Sequence, residues 1–344
     1  MTLSPLWRIL FPVVILLVDA APVFCAGADK VEWQLSTPLP DARAGYAAGV
    51  VGDRLVLAGG TYWKGSAGNW IEKIFCSTTH AFDPHTETWT RLPDAPVSLA
   101  YAPGAVAGGR FFVIGGLQDG RVSRRILILE KDGSGFRWSD GPPLPEPRVF
   151  AEAAVAQGRI FVVGGSVEFE TMGDKRLCCA SHTATTTVWS LDSTELGAGW
   201  KEHAAFPGHR RWTPRLLADG RYLYQFGGRF ITAPDQPVRY FDEVWRYDIG
   251  SDTWMRIAEL PVDIRLSRPV FAAGRIFLVG QGRRTMVFEP DTGRFSDAEG
   301  LPMDALVDYF AWMPPFIVGA GGETREERPR RRADWTFLGR VKSH

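Results

Sequence analysis

Six times along the chain a short β-branched or aromatic run ends in a glycine pair or a close variant of one. The runs are Leu55–Gly60, Phe111–Gly116, Ile160–Gly165, Tyr222–Gly228, Ile276–Gly282 and Ile317–Gly322. Their first glycines stand at 59, 115, 164, 227, 280 and 321, in steps of 56, 49, 63, 53 and 41. Glycine lets a chain leave a strand at positive φ or approach another backbone closely. A loose period of roughly 50 residues predicts a propeller of four-stranded blades.

A second mark keeps phase with the first. Trp89, Trp138, Trp200 and Trp254 follow the glycine pairs by 23 to 36 residues, and Phe295 holds that place in the fifth unit. A proline turn comes next: Leu92-Pro93, Leu144-Pro145, Phe206-Pro207, Leu260-Pro261 and Leu301-Pro302. A large flat side chain suits the wedge between neighbouring blades, where it buries most area. The double signature resembles the kelch repeat and covers nearly the whole chain after its first 28 residues.

In the first unit, Tyr46 to Val51 reads as the inner strand, Arg54 to Gly60 as the second, Thr79 to Asp83 as the third, and the outer strand surrounds Trp89. After Gly322 only one more strand is visible, Ala333 to Leu338, in the slot of a third strand. The missing outer strand is at the other end of the chain, Val31 to Leu35. The expected fold is therefore all-β: a six-bladed kelch-type β-propeller, closed by an N-terminal outer strand that completes the last blade and protects its edge.

The 344 residues, 45% hydrophobic and 23% charged, suit one globular ring of repeats over 29–344. Net charge is zero, which gives no electrostatic case for nucleic acid. No sequence pattern calls for a cofactor, and no His/Cys cluster has metal-site spacing. Residues 1–28 read as a signal peptide cut near Ala28, with Arg8 ahead of the ten-residue stretch Ile9 to Val18. That stretch is too short for a stable membrane span, so a periplasmic or secreted protein is expected. Of the remaining cysteines, Cys76 either pairs with Cys178 or Cys179 or stays a free thiol.

Ligands of such a scaffold sit on the face formed by loops at the channel mouth. The loops entering each inner strand carry Arg43, Arg148, Arg210 with Arg211, and Arg265 with Arg268, while Tyr101 and Asp308-Tyr309 replace arginine in the other two units. Arginines gathered at one mouth would hold a carboxylate or phosphate bidentately; each could instead pair with a neighbouring acid. The loops after the glycine pairs add Tyr62, Trp63, Glu168, Glu170, Arg229, Arg283 and Glu323. Aromatics beside carboxylates and arginines suit sugar recognition. The charged run 323–332 reads either as a solvated loop or as part of that face.

The segment Phe206 to Pro214, leading to Tyr224 to Arg229, and the stretch Leu99-Ala100-Tyr101 resemble the bacterial N-acetylneuraminate epimerase (sialic acid mutarotase) family. The order of blades resembles the circularly permuted branch of that family. The resemblance implies a proton acceptor at Glu323 and substrate-side arginines at Arg331 or Arg332 and at Arg211. With these go Arg43, Tyr101, Arg148, Glu168 and Arg229 as expected substrate-binding residues. Opening a cyclic hemiketal needs a base for the anomeric hydroxyl and an acid for the ring oxygen. An acidic sugar or glycan is the expected partner. A non-catalytic propeller binding carbohydrate or protein is the alternative, and the histidines form no pair suited to a copper radical oxidase such as galactose oxidase.

Overall fold

The structure, a computed structural model, describes residues 30–66, 69–171, 179–180, 183–232, 236–324 and 333–342. The expected signal peptide, Cys178, Arg331 and Arg332 lie outside these residues. No helix among the described residues is long and apolar enough to cross a membrane.

The described chain is all-β apart from 3-10 segments at Leu196–Ala198 and Val262–Ile264. Six antiparallel meanders of four strands succeed one another, consistent with a kelch propeller. Their first strands are Ala47–Val51, Gly104–Ala107, Glu152–Ala156, Arg215–Ala218, Arg268–Ala272 and Phe310–Met313. Each lies against the first strand of the next sheet, and Phe310–Met313 lies against Ala47–Val51. Small residues predominate in the first three, because first strands packed side by side leave little room for long side chains. The second strands, such as Arg110–Ile114 and Arg159–Val163, are almost wholly buried after their first residue. They are apolar on both faces because each sheet is packed on both sides.

The sixth sheet takes its fourth strand from the start of the described chain. Val31–Leu35 pairs with Thr336–Val341, Val31 opposite Val341 and Leu35 opposite Phe337. This outer strand falls where the sequence puts it, but its partner lies three residues later than the expected 333–338. Gly339 explains the offset. It looks like a strand end, yet it continues the strand because the Trp33 ring lies on it; a Cβ there would come within 2.7 Å of that ring.

The outer tryptophans join the sheets. The indole N–H of Trp138 donates to Pro93 O (2.9 Å), that of Trp200 to Pro142 O (3.0 Å) and that of Trp254 to Ala204 O (3.1 Å). Each acceptor lies just beyond the fourth strand of the preceding sheet. Trp33 and Trp89 repeat the arrangement, donating to Glu299 O (2.9 Å) and Thr37 O (3.1 Å). Glycine pairs join sheets in the other direction. Gly60 N–H donates to Leu99 O (2.8 Å), Gly116 to Arg148 O (2.6 Å), Gly165 to Arg211 O (3.2 Å) and Gly322 to Arg43 O (2.8 Å). The approach explains the residue type: at Gly115 (φ +61°) a Cβ would stand 2.7 Å from Arg148 O, and at Gly321 (φ +64°) 2.7 Å from Arg43 O.

The seam between the fourth and fifth sheets is built differently. Phe295 has no indole N–H to donate, and Gly228 makes no such inter-sheet bond among the described residues. Apolar packing joins the two sheets there, with Phe226, Ile276, Leu278 and Phe288 in one buried cluster.

A buried polar network lies where the third and fourth sheets meet. His203 is hydrogen-bonded to Ser190 Oγ through Nε2 (2.8 Å) and to Tyr247 OH through Nδ1 (3.1 Å), and the Tyr247 hydroxyl donates to Asp252 Oδ1 (2.5 Å). Burial, outweighing the nearby Asp252, holds the His203 imidazole below its usual range. The unfolded chain therefore takes up this proton first as pH falls. The stability His203 contributes is full above about pH 6.5 and is lost as pH drops through the depressed folded value. Urea unfolding midpoints should decline from pH 7 to pH 5, and His203→Gln should flatten the decline; an unchanged slope would refute the assignment.

Candidate functional site at the strand entry face

Hydrogen bonds join the loops before the first strands of sheets one to four, and Asp308 ties in those of the fifth and sixth, so these loops lie together on one face. The second strands run back, which brings the glycine pairs and the residues after them to the same face. Beyond four of the pairs the chain rises in short hairpins: Thr61–Ser66 with Asn69–Phe75, Leu117–Gln118 with Arg121–Val122, Glu170–Thr171 with Cys179–Ala180, and Arg229–Phe230 with Arg239–Tyr240.

A collar of backbone bonds surrounds the entry. Tyr101 N–H donates to Gly45 O (2.7 Å), Phe150 N–H to Tyr101 O (3.0 Å) and Thr213 N–H to Phe150 O (2.8 Å). These four residues occupy matching positions, two or three before their strands begin, and all have positive φ: +70° at Gly45, +56° at Tyr101 and Phe150, and +48° at Thr213. Left-handed backbone is strained for bulky side chains, and such strain concentrates at functional sites. The collar stops at the fifth and sixth sheets. There the Asp308 carboxylate takes over, with Oδ2 accepting Gly45 N–H (2.6 Å).

Inside the collar sits a charged cluster that begins the inner strands. Glu152, Arg215 and Arg268 are the first residues of the third, fourth and fifth inner strands. One oxygen, Glu152 Oε1, accepts from Arg215 Nη1 (2.8 Å) and from Arg268 Nη1 (2.7 Å). Arg268 Nη2 stands 3.7 Å from Asp308 Oδ1. The Arg215 side chain is only 7% exposed. Burial, reinforced by the Arg268 guanidinium, lowers it to about 9, so it remains protonated at neutral pH. Arg229 adds a third guanidinium: its Nε donates to Thr213 Oγ1 (3.0 Å), it lies 4.2 Å from the centre of the Trp212 ring, and its charge also acts on Arg215. Two phenols close the cluster from below. Burial and then Asp308 raise Tyr46 well above its usual range, while burial and then Glu152 push Tyr309 up to about 12. Guanidiniums gathered in this way are able to hold an anion by charge-assisted hydrogen bonds.

The residues expected from sequence fall into three groups. Arg43, Arg148 and Arg211 lie beneath the face and are almost completely buried. Arg43 Nη1 donates to Gly59 O and Thr78 O (both 3.1 Å) and Nη2 to Asp41 (2.7 Å). Arg211 Nη1 donates to Gly227 O (2.8 Å) and Glu243 (2.9 Å), with Phe206 and Phe241 against its guanidinium. Arg148 bonds Glu146 (3.0 Å) and Thr187 (2.7 Å). The expectation that these three line the mouth is corrected: their donors are turned into the scaffold, where carbonyls near the glycine pairs need partners. Arg268 and Asp308 do meet, 3.7 Å apart, and Arg229 stands near enough to Arg215 for its charge to act there. Tyr101 packs against Phe150 (4.6 Å) and Phe169 (5.9 Å), and its hydroxyl accepts from Lys73.

Glu168 is exposed on the rim, its N–H donating to Thr183 Oγ1 (3.2 Å). Glu323 is half-buried and forms a two-way backbone bridge with Leu306. That bridge places Glu323 in the slot Arg229 holds opposite Trp212 in the fourth sheet. Cys76 is a buried free thiol, with burial pushing it up. Glu152 and Arg215 escaped the sequence reading; the signal for them is a charged residue opening an otherwise apolar strand.

Comparison with known proteins now adds to this geometry. The kelch motif family matches residues 42–96, from Arg43 through the first sheet to its closing turn. The chain carries the kelch motif and resembles the bacterial N-acetylneuraminate epimerases. It is 31% identical over 141 residues to "N-acetylneuraminate epimerase" of Brucella suis, covering 39% of this chain and 36% of that protein. Proteins of the same name from Yersinia enterocolitica and Vibrio cholerae are 34% identical over 86 residues and 37% over 72. Those two matches cover 25% and 21% of this chain, and 22% and 19% of the relatives. The chain thus spans well under half the length of the curated relatives it matches.

Proposed function

We propose that the six sheets are the blades of one closed kelch propeller, and that its entry face works on an acidic sugar such as N-acetylneuraminate, as a mutarotase or epimerase. Closure is supported by Val31–Leu35 in the sixth sheet, by Gly322 N–H on Arg43 O, and by the Tyr46 hydroxyl donating to Ala320 O. One observation carries the functional reading: the gathering of Arg215 and Arg268 on Glu152, with the charge of Arg229 acting on Arg215, on a scaffold resembling proteins named for N-acetylneuraminate. In this reading the arginine cluster holds the sugar carboxylate and Glu323 takes the proton from the anomeric hydroxyl. Positioning supplies much of the acceleration. The short apolar stretch Ile9 to Val18 supports an exported protein.

The test is to dissolve α-N-acetylneuraminate freshly with the protein and follow anomer exchange by NMR. Exchange should exceed that in buffer and fall to the buffer rate with Glu323→Gln. Buffer-level exchange with the parent protein sinks the catalytic reading. Binding without acceleration would favour a non-catalytic carbohydrate-binding propeller.

A further inference from the structure

The bonding at Glu152 is uneconomical for a structural ion pair. Two arginines from different sheets converge on the same oxygen, Oε1, while no hydrogen bond reaches Oε2 among those described. Arginine pairs with carboxylate most favourably through both oxygens at once. Here neither guanidinium does so. Arg215 makes one hydrogen bond, to Glu152, although more than nine-tenths of its side chain is buried, and Arg268 Nε is buried with no partner. Arg215 therefore keeps donors that no described group accepts, while Arg268 Nη2 lies 3.7 Å from Asp308 Oδ1. Arg229 contributes further charge and makes no ion pair with Glu152 among the described residues.

We propose that Glu152 is an internal stand-in for the ligand's carboxylate: it holds Arg215 and Arg268 in place, and a bound anion shares those guanidiniums against its charge. This rests on the acidic-sugar reading of the face but concerns binding, not the chemical step. A neutral sugar cannot compete with Glu152 for the two guanidiniums. A carboxylate can, since it offers two oxygens to donors that Glu152 meets with one. Glu152 is accordingly a positioning residue that acts on ligand through the arginines, and its negative charge lowers the affinity for every anion.

Calorimetric binding of N-acetylneuraminate, its methyl ester and acetate to the parent protein and to Glu152→Gln tests this. Glutamine keeps an acceptor for both guanidiniums and removes the charge. The two acids should bind about tenfold more tightly to Glu152→Gln, with the methyl ester unchanged. Arg229→Gln should weaken both acids about tenfold. Equal or weaker acid binding by a folded Glu152→Gln overturns the proposal, and so does an ester that gains as much as the acids. If Glu152→Gln does not fold, side-chain NMR of the labelled parent decides: acetate must shift the Arg215 and Arg268 signals, and unmoved signals overturn the proposal. Tighter acid binding with no anomer exchange in any variant would refute the mutarotase reading and leave this proposal standing.

Discussion

A chain beginning at residue 36 should fail to reach a stable cooperative fold, whereas one beginning at residue 29 should fold normally. Removing Val31–Leu35 takes away a five-residue ladder on Thr336–Val341. It also takes Val31, fully buried among Phe277, Phe310, Ile317 and Phe337. Trp33 goes with it, losing its edge contact with Phe310 at 6.0 Å and its bond to Glu299 O. Losing a buried valine costs roughly 1.5–3 kcal/mol and a packed tryptophan about 3–5 kcal/mol. Together these approach the ~5–15 kcal/mol total stability of an ordinary domain. The newly bared edge of Thr336–Val341 would invite association. Urea unfolding and size-exclusion profiles of the two chains measure the effect, and a synthetic peptide spanning residues 29–37 should restore part of the loss. Coincident unfolding curves would show that this strand does not hold the fold together.

Replacing Arg43 with alanine should cost about 3–5 kcal/mol of stability, irrespective of any ligand. The guanidinium is completely buried and serves the carbonyls of Gly59, Thr78 and Asp41 together with the Asp41 carboxylate. Alanine would leave buried acceptors unmet beside a cavity, and each such acceptor costs about 1–3 kcal/mol. Lysine should rescue poorly, because a single ammonium cannot span carbonyls that a planar fork reaches together. Arg211→Ala should behave alike, with the added loss of packing on Phe206 and Phe241. Thermal unfolding with and without acidic sugar separates the roles. An unchanged melting temperature combined with weakened binding would return these arginines to the ligand.

The framework was legible in the sequence because its signals are local and repeated. Positive φ combined with close backbone approach demands glycine wherever the two recur, and the tryptophans recur because five of the six seams offer a similar acceptor. Even the strand that changes ends of the chain, Val31–Leu35, showed as an aromatic strand without a unit of its own. The site was less legible. A recurring arginine in a mouth loop looks the same whether its head turns to the channel, as at Arg268, or into the scaffold, as at Arg211. Three residues separate Arg211 from Arg215, and only the backbone path between them decides which one reaches Glu152. Glu152 and Arg215 occupy the same place in successive sheets with opposite charges, so no repeated letter marks the place. Their meaning lies in the pair, which exists only once the sheets stand side by side.

The seam between the fourth and fifth sheets has a consequence for motion. The other seams carry an indole staple, a glycine bond or both, whereas apolar packing chiefly joins this one away from the mouth. Hydrophobic contact resists sliding less than directional bonds do, so local opening should begin here and not where the chain ends meet. Amide hydrogens of Arg268–Ala272 should therefore exchange sooner than those of Ala47–Val51, although both are inner strands of similar position. Glu152 then takes on a mechanical sense: it clasps the fourth and fifth strands from the third, across the joint most ready to part. An anion that draws Arg215 and Arg268 together would quieten that joint, making ligand occupancy readable as slowed exchange far from the ligand itself.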